Sequence, residues 1–103
     1  MARLVRPRNV VDETTSVRCG KAKGVIREEV WQSEGGEVAR YNLAFICLQL
    51  CRVDNGRVLG YDNHHDHHHW HFMGATEPIL YTGYDELLGR FLAEADVFRN
   101  GTQ

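Results

Sequence analysis

The sequence contains few cysteines, and they follow none of the spacings that define a disulfide framework or a zinc knuckle. Cys19, Cys47 and Cys51 are an odd number and include no CxxC pair. On one strand, Cys47 and Cys51 would lie about 13 Å apart, beyond the roughly 7 Å that a disulfide spans between α-carbons. The sequence therefore predicts reduced, buried thiols, as in a cytosolic protein.

The chain also lacks a long hydrophobic run. No apolar segment approaches the roughly 18 residues that a membrane-spanning helix needs. The N-terminal MARLVRPRNVVDE has no continuous apolar stretch of the kind found in a secretory signal. We therefore expect a cytoplasmic protein with no membrane partner. At 103 residues, we expect a single domain over 1–103, built around one core.

The net charge of −2 conceals an uneven distribution. Residues 1–27 carry seven basic side chains against two acidic ones, whereas the remainder carries five against twelve. A basic N-terminal segment, residues 1–24, could bind nucleic-acid phosphates by releasing their counterions. It could equally be a solvated arm that pairs with acidic residues of the same fold or of a partner.

The middle of the chain predicts an antiparallel β meander over residues 25–73 with a histidine-rich hairpin. The segment GVIREEVWQ precedes the turn SEGGE and predicts a strand. In VARYNLAFICLQLCRVD, both odd and even positions are apolar from Leu43 to Leu50, as in a central strand that is covered on both faces. Asp54-Asn55-Gly56-Arg57 predicts a type I′ hairpin turn that would place Leu50 opposite Tyr61. HHHWHFM would form the next strand, and residues 79–81 a short edge strand.

The last part of the chain predicts an amphipathic helix over residues 82–99. Thr82 and Asp85 resemble a capping box, and Asn100-Gly101 is a typical helix end. The apolar positions recur at helical spacing: Tyr84, Leu87, Leu88, Phe91, Leu92, Ala95 and Phe98. The predicted fold class is α+β, with an antiparallel meander of four or five strands and the C-terminal helix packed on one face.

All six histidines lie between residues 64 and 71, in the segment HHDHHHWH. The segment is internal and interrupted by Asp66 and Trp70, so it belongs to the protein and is not a tag. On a regular strand, His69 and His71 share one face, whereas His68 takes the other. All three can cooperate only if the strand begins at or after His68, or is bulged there.

The pair His69 and His71 fits two kinds of chemistry. As a His-x-His motif with Asp66, it could bind zinc or another divalent transition metal, with Asp62 or His64 as further ligands. Without a metal, crowded imidazoles cannot all be charged, so some act as bases and others as acids.

Such a mixture suits RNA cleavage, in which a base takes the 2′-hydroxyl proton and an acid protonates the leaving 5′-oxygen. A cation, for which Arg40, Arg52 or an N-terminal basic residue is a candidate, would stabilise the phosphorane. Two interpretations without catalysis stay open: a solvent-exposed polar turn, and an interaction protein whose unpaired strand edges bind a second copy or another chain.

The order RYNLAF, GYDN, HHWH and a C-terminal helix with LLxxFL resembles the TumE-type toxins of bacterial toxin-antitoxin systems. The resemblance runs from about Val25 to the helix. Its most specific part is Tyr61-Asp62-Asn63 followed by His68-His69-x-His71. The sequence departs from that pattern in its extra histidines at 64, 65 and 67, and in Trp70, where many relatives carry a basic residue.

The resemblance implies a small cytoplasmic toxin that acts on RNA and is neutralised by a cognate helix-turn-helix antitoxin. By position it implies a catalytic centre of His68, His69 and His71, supported by Tyr61 and Asp62. Our leading hypothesis is therefore a toxin that is a ribonuclease without a metal cofactor, and we expect a homodimer. The metal-binding protein or metal-dependent hydrolase is the alternative.

Overall fold

The computed structural model describes residues 6–100, which form one antiparallel sheet and one helix. The strands pair in chain order, each with the next, as a meander. The elements are β1 (Arg8–Cys19), β2 (Ala22–Gln32), β3 (Val38–Ile46), β4 (Arg57–Asp62), β5 (His69–Phe72), β6 (Ala75–Pro78) and α1 (Tyr84–Asn100). The predicted α+β class and meander are confirmed, but the sheet has six strands and not four or five.

The additional strand comes from the basic N-terminal segment, which we did not predict to enter the sheet. β1 pairs with β2 along its length, from Arg8 opposite Gln32 to Cys19 opposite Ala22. Most β1 side chains are exposed on both faces, so the strand has no alternation of apolar and polar residues to reveal it. Residues 1–5 of the basic segment, and Gly101 of the predicted helix end, lie outside the described residues.

The prediction of three reduced thiols is wrong, because Cys19 and Cys47 form a disulfide. The bridge joins the end of β1 to the residue after β3, two positions 28 apart in sequence that only the pairing of β1, β2 and β3 brings together. Cys51 is free and buried, and its thiol donates to the Val53 carbonyl at 3.4 Å. The thiols therefore no longer support a cytosolic location.

The connection between β3 and β4 also differs from the predicted two-residue hairpin. β3 ends at Ile46, and the Leu50 and Cys51 amides both bond the Cys47 carbonyl in a helical turn. The predicted positive φ angles are present at Asn55 and Gly56, which have φ of 55° and 85°. However, Leu43 and not Leu50 lies opposite Tyr61, because residues 47–51 leave the sheet; Cys47 and Cys51 are buried, whereas Leu48 and Leu50 are exposed.

Two predicted boundaries near the C-terminus shift. The edge strand expected at residues 79–81 is found at Ala75–Pro78. The helix begins at Tyr84 and not at Thr82, and the Thr82 hydroxyl donates to the Glu86 carboxylate at 2.8 Å, so no capping box with Asp85 forms. No helix in residues 6–100 has both the length and the hydrophobicity to cross a membrane.

Helix α1 packs on one face of the sheet and leaves the other uncovered. Leu87, Phe91 and Ala95 are buried, and the Phe91 ring meets the Tyr61 ring edge-on with centroids 6.3 Å apart. Along each strand, the side chains that alternate with those under the helix lie on the other side of the sheet. We call this side, which α1 does not cover, the open face. Paired positions there form two rows: Asp12, Glu29, Asn42, Asp62 and His69; and Thr14, Arg27, Ala44, Gly60, His71 and Thr76.

Candidate functional site on the open face

The three histidines of the predicted centre are divided between the two faces of the sheet. His69 pairs with Asp62 and His71 with Gly60, so both stand on the open face, with ring centroids 6.2 Å apart. β5 begins at His69, and the His68 carbonyl accepts a bond from the Ile79 amide. His68 therefore lies on the helix side, and the structure does not bring it to the other two.

On the open face, His71 belongs to a charged cluster with Asp62 and Arg57. The His71 Nε2 atom lies 2.8 Å from Asp62 Oδ2. Nε2 is fully buried, and the carboxylate lies off its N–H direction, so this contact is electrostatic and not an aligned hydrogen bond. The three side chains are only 12%, 15% and 19% exposed for His71, Asp62 and Arg57, respectively.

Arg57 holds the other side of the imidazole. Its Nη2 donates to His71 Nδ1 at 3.1 Å, its Nη1 to Asp62 Oδ2 at 3.3 Å and its Nε to Asp54 Oδ2 at 2.7 Å. A guanidinium only donates, so Nδ1 must carry the lone pair and Nε2 the proton of a neutral ring. Burial, together with the Arg57 charge, lowers the pKa of His71, although Asp62 opposes the shift.

A β-bulge places Arg57 on the open face. Phe45 pairs with Leu59 and Ile46 with Arg57, which leaves Val58 without a partner and reverses the alternation expected along β4. Sequence reasoning proposed Arg40 and Arg52 as the cations and missed Arg57 in this role, since strict alternation from Asp62 would put Arg57 under the helix. The register across the bulge is the only feature that identifies it.

Gly60 provides the space in which Arg57 lies. A Cβ atom at Gly60 would sit 2.7 Å from Arg57 Cδ and 2.8 Å from the Leu43 carbonyl oxygen. The guanidinium therefore crosses β4 directly over a residue without a side chain and reaches Asp62 and His71 beyond it. Thr76 completes the surroundings, with its hydroxyl 3.3 Å from His71 Nδ1.

His68 is a packing residue on the helix side. Its ring stacks on Tyr81 with centroids 4.0 Å apart, and its Nδ1 lies 2.8 Å from the Tyr41 hydroxyl. Burial lowers the pKa of His68 and raises that of Tyr41, so both groups are neutral and the phenol donates to Nδ1. The imidazole thus forms part of an aromatic stack.

Tyr61 likewise lies away from the open face. Its side chain is buried, and its hydroxyl donates to the Glu94 carboxylate of α1. Burial and this carboxylate raise the pKa of the phenol. Tyr61 therefore fixes the helix to β4, while the neighbouring Asp62 points to the histidines.

The turn that carries the other histidines is fixed by Asn63. Its side chain accepts the Tyr41 amide at 3.0 Å and donates to the Ala39 carbonyl at 3.0 Å, in the manner of an added strand partner for β3. Beyond it, His64–Asp66 form a 3-10 turn in which His65 and Asp66 have positive φ. This turn keeps His64, His65 and His67 exposed.

The predicted metal ligands do not assemble into a centre. Within residues 6–100, no three His, Cys, Asp or Glu side chains are grouped so that they could hold one ion. Asp66 lies exposed in the 3-10 turn and does not join His69 and His71 in such a group.

Two pockets flank the Asp62–His71 contact on either side. The larger, of about 530 Å³, has His71 in its wall, and the smaller, of about 140 Å³, has Asp62 in its wall. The larger is lined by Val53, Asp54, Arg57, His71, Met73, Gly74 and Thr76. The smaller is lined by Glu29, Trp31, Arg40, Tyr41, Asn42, Asp62 and His64. The contact is thus within reach of a molecule in either pocket.

Comparison with known proteins identifies no relative: no family model matches the chain, and no curated protein or solved structure is significantly similar to it. The resemblance to TumE-type toxins therefore stays a prediction from the sequence. The function has to be argued from the chemistry of the open face.

Proposed function

We propose that the protein is the toxin of a toxin-antitoxin pair and cleaves RNA by acid-base catalysis on the open face, without a metal cofactor. The main support is one observation: a neutral imidazole, His71, held between Asp62 and Arg57, with a second imidazole, His69, beside it. Acid-base cleavage of RNA needs a neutral base, an acid and a positive charge near the phosphate.

In this proposal His71 is the base. Its lowered pKa keeps the ring neutral near pH 7, and its Nδ1 is in contact with Arg57 and Thr76, which line the larger pocket together with His71. In this proposal a 2′-hydroxyl in that pocket displaces the contacts of Thr76 and of the Arg57 guanidinium from Nδ1, which frees the lone pair to take the hydroxyl proton. Asp62, 2.8 Å from Nε2, then stabilises the imidazolium that forms through its negative charge.

His69 is the acid, and Arg57 supplies the positive charge. The 2′-oxygen attacks phosphorus, the bond from phosphorus to the 5′-oxygen breaks, and the His69 imidazolium protonates that leaving oxygen. Arg57 carries its charge next to the reacting ring and stabilises the phosphorane. The products are a 2′,3′-cyclic phosphate and a 5′-hydroxyl, and the transferred protons return both histidines to their starting states through water.

The basic residues of the N-terminal segment support RNA as the substrate. Arg18 and Lys23 face each other across β1 and β2, and with Arg99 they line a groove of about 710 Å³. The middle of the open face is more acidic, with Asp54 and Asp62 beside Arg57. We therefore expect backbone phosphates to be bound in the groove, at one end of the sheet, while the scissile phosphate lies at the histidines.

Expression in bacteria tests the proposal. The wild-type chain should arrest growth and degrade RNA, and a His69→Ala, His71→Ala variant should do neither because base and acid are both removed. The matched control is His65→Ala, His67→Ala, which removes two exposed histidines of the same segment and should stay toxic. Equal toxicity of all three proteins, or toxicity of none, would rule out the proposed function.

The proposal includes a neutralising partner. Among residues 6–100 no strand pairs with the outer edge of β1, which is 12 residues long, so an antitoxin or a second copy of this chain could add a strand there. Co-expression of a helix-turn-helix protein from an adjacent reading frame should restore growth. No rescue by such a protein would argue against a toxin-antitoxin pair and leave RNA cleavage to be judged by itself.

The metal-dependent alternative is separated by two measurements. Elemental analysis of protein purified without a nickel resin should show no stoichiometric zinc, manganese or iron. Cleavage should also persist in a chelator. A stoichiometric metal, or loss of cleavage in chelator, would favour His69 and His71 as ligands.

A further inference from the structure

We infer that the smaller pocket beside Asp62 is a subsite that recognises one nucleobase of the RNA, with guanine preferred. The inference rests on the proposed function, because it assigns a base specificity to the same open face. It is carried by the pocket's two planar stacking groups and its hydrogen-bond acceptors, which the proposed cleavage chemistry does not use.

The stacking groups are Trp31 and Arg40. They face each other across β2 and β3, and the Arg40 guanidinium carbon lies 5.0 Å from the centroid of the Trp31 ring. Both indole rings and guanidinium planes stack on nucleobases in complexes with single-stranded RNA. Arg40 is exposed, so its outer surface is available to a base.

The acceptors are Glu29 and Asn42. The Asn42 side-chain nitrogen donates to Glu29 Oε1 at 2.9 Å. The Asn42 side-chain oxygen therefore points away from Glu29 and can accept a hydrogen bond from a ligand. The Glu29 carboxylate, 19% exposed, lies 3.4 Å from Arg27 and is held in place by this ion pair and by Asn42. An acceptor-rich wall selects a base that presents adjacent N–H donors. Guanine presents N1–H and N2–H₂ together, which uracil cannot do.

The size and position of the pocket fit one base of a longer chain. Its volume of about 140 Å³ is well below the roughly 300–1,000 Å³ of pockets that enclose a drug-sized ligand, so it admits a ring system and not a whole nucleotide. Asp62 lines the pocket and also contacts His71. A base bound there therefore belongs to a nucleotide next to the proposed catalytic pair.

Titration of the purified protein with guanosine, adenosine, cytidine and uridine 5′-monophosphates, followed by tryptophan fluorescence, tests the inference. Guanosine monophosphate should quench Trp31 and bind at least about tenfold more tightly than uridine monophosphate, since a good bidentate contact discriminates by roughly 1–3 kcal/mol. Glu29→Gln should lose that preference. Glu37→Gln, an exposed glutamate outside the pocket, should keep it.

A second variant distinguishes loss of the subsite from loss of the folded structure. Trp31→Phe should remove most of the quenching and retain weaker guanosine monophosphate binding by calorimetry. Absence of nucleotide binding to the wild-type protein, or a guanine preference that Glu29→Gln leaves unchanged, would overturn the subsite. Binding is measured without cleavage, so a protein that prefers guanosine monophosphate but leaves RNA intact would overturn the proposed function alone.

Discussion

Arg57 reaches Asp62 and His71 by crossing Gly60, and the two residues therefore act as a pair. The guanidinium is bound by two carboxylates and one imidazole nitrogen, so its position sets the tautomer of His71 and the charge beside it. A side chain at residue 60 would occupy the space through which Arg57 passes.

Gly60→Ala should therefore lower RNA cleavage by about tenfold, less than the 10²- to 10³-fold decrease seen when a transition-state donor is deleted, because Arg57 is displaced and not removed. Gly35→Ala is the matched control, since a Cβ there meets nothing within 4 Å. Single-turnover rates measure the effect. Equal rates for the two variants would show that Arg57 has no part in the reaction.

Partly buried neutral histidines make stability depend on pH. The pKa values of His68 and His71 are both lowered from the ordinary 6.5 by burial. Below about pH 6.5 these histidines bind protons in the unfolded chain but not in the folded one. Their contribution to the free energy of unfolding is therefore fully present above this pH, and it is lost as the pH falls towards the lowered pKa values of the folded protein. Thermal unfolding between pH 7.5 and 5 should show this decrease.

His68→Phe keeps a ring beside Tyr81 and removes one titrating group, so its melting temperature should depend less on pH than that of the wild type. His67→Gln, a substitution of an exposed histidine, should retain the wild-type dependence. Identical pH profiles for all three proteins would contradict the assignment of His68 as a buried neutral base.

The placement of single residues could be predicted only where strand alternation is regular. The period of two placed His69 and His71 together and His68 opposite, and the structure has them so. Arg57 could not be placed, because the bulge at Val58 reverses the alternation and depends on tertiary pairing. The resemblance placed Tyr61 and Asp62 together, although neighbouring residues on a strand face opposite sides.

Among the elements, the helix α1 could be predicted from the sequence, whereas the strand β1 could not. The helix is amphipathic and packs by one stripe, so its period of 3.6 was visible in the sequence. Most side chains of β1 are exposed on both faces, so its sequence has no hydrophobic alternation that would indicate its pairing with β2. The apolar pattern continues from Ile46 to Leu50 and so predicts a longer strand, because a short apolar run does not distinguish a strand from a helical turn; in the structure Leu48 and Leu50 lie in such a turn and are exposed.

The packing of α1 predicts a strong contrast between two neighbouring residues. Phe91 is fully buried, whereas Leu92 is 43% exposed. Phe91→Ala should lower the free energy of unfolding by about 3–5 kcal/mol, and Leu92→Ala by less than about 1 kcal/mol. Urea denaturation checks both. A small effect of Phe91→Ala would mean that the helix is not docked on the sheet.

The whole molecule is elongated, with extents of 58, 24 and 23 Å and a radius of gyration of 14.8 Å, against about 13 Å for a compact chain of 100 residues. A single helix cannot cover such a sheet on both sides, so one face stays open to a ligand. The disulfide depends on the order of β1, β2 and β3 in the sheet, and the open face on the side of that sheet to which α1 docks. Neither spacing nor composition could reveal them.

The basic groove is lined by none of the histidines, which predicts that substitutions in the two places differ in their effect on salt dependence. The double variant Arg18→Ala, Lys23→Ala should bind RNA more weakly. The slope of the logarithm of its binding constant against the logarithm of the salt concentration should become shallower by about 0.7 for each phosphate that is no longer bound. Arg52→Ala, which removes an exposed arginine of the β3–β4 connection, should leave the slope unchanged. Equal slopes for all proteins would place the RNA backbone elsewhere.

The most direct test of acid-base cleavage on the open face is a single-turnover assay with purified protein, single-stranded RNA and excess chelator, in which the new ends are analysed. We predict fragments with 2′,3′-cyclic phosphate and 5′-hydroxyl ends, no cleavage of the 2′-O-methyl analogue, and no cleavage by His71→Ala. Intact RNA with the wild-type protein, or equal cleavage by His71→Ala, would contradict acid-base cleavage at this site.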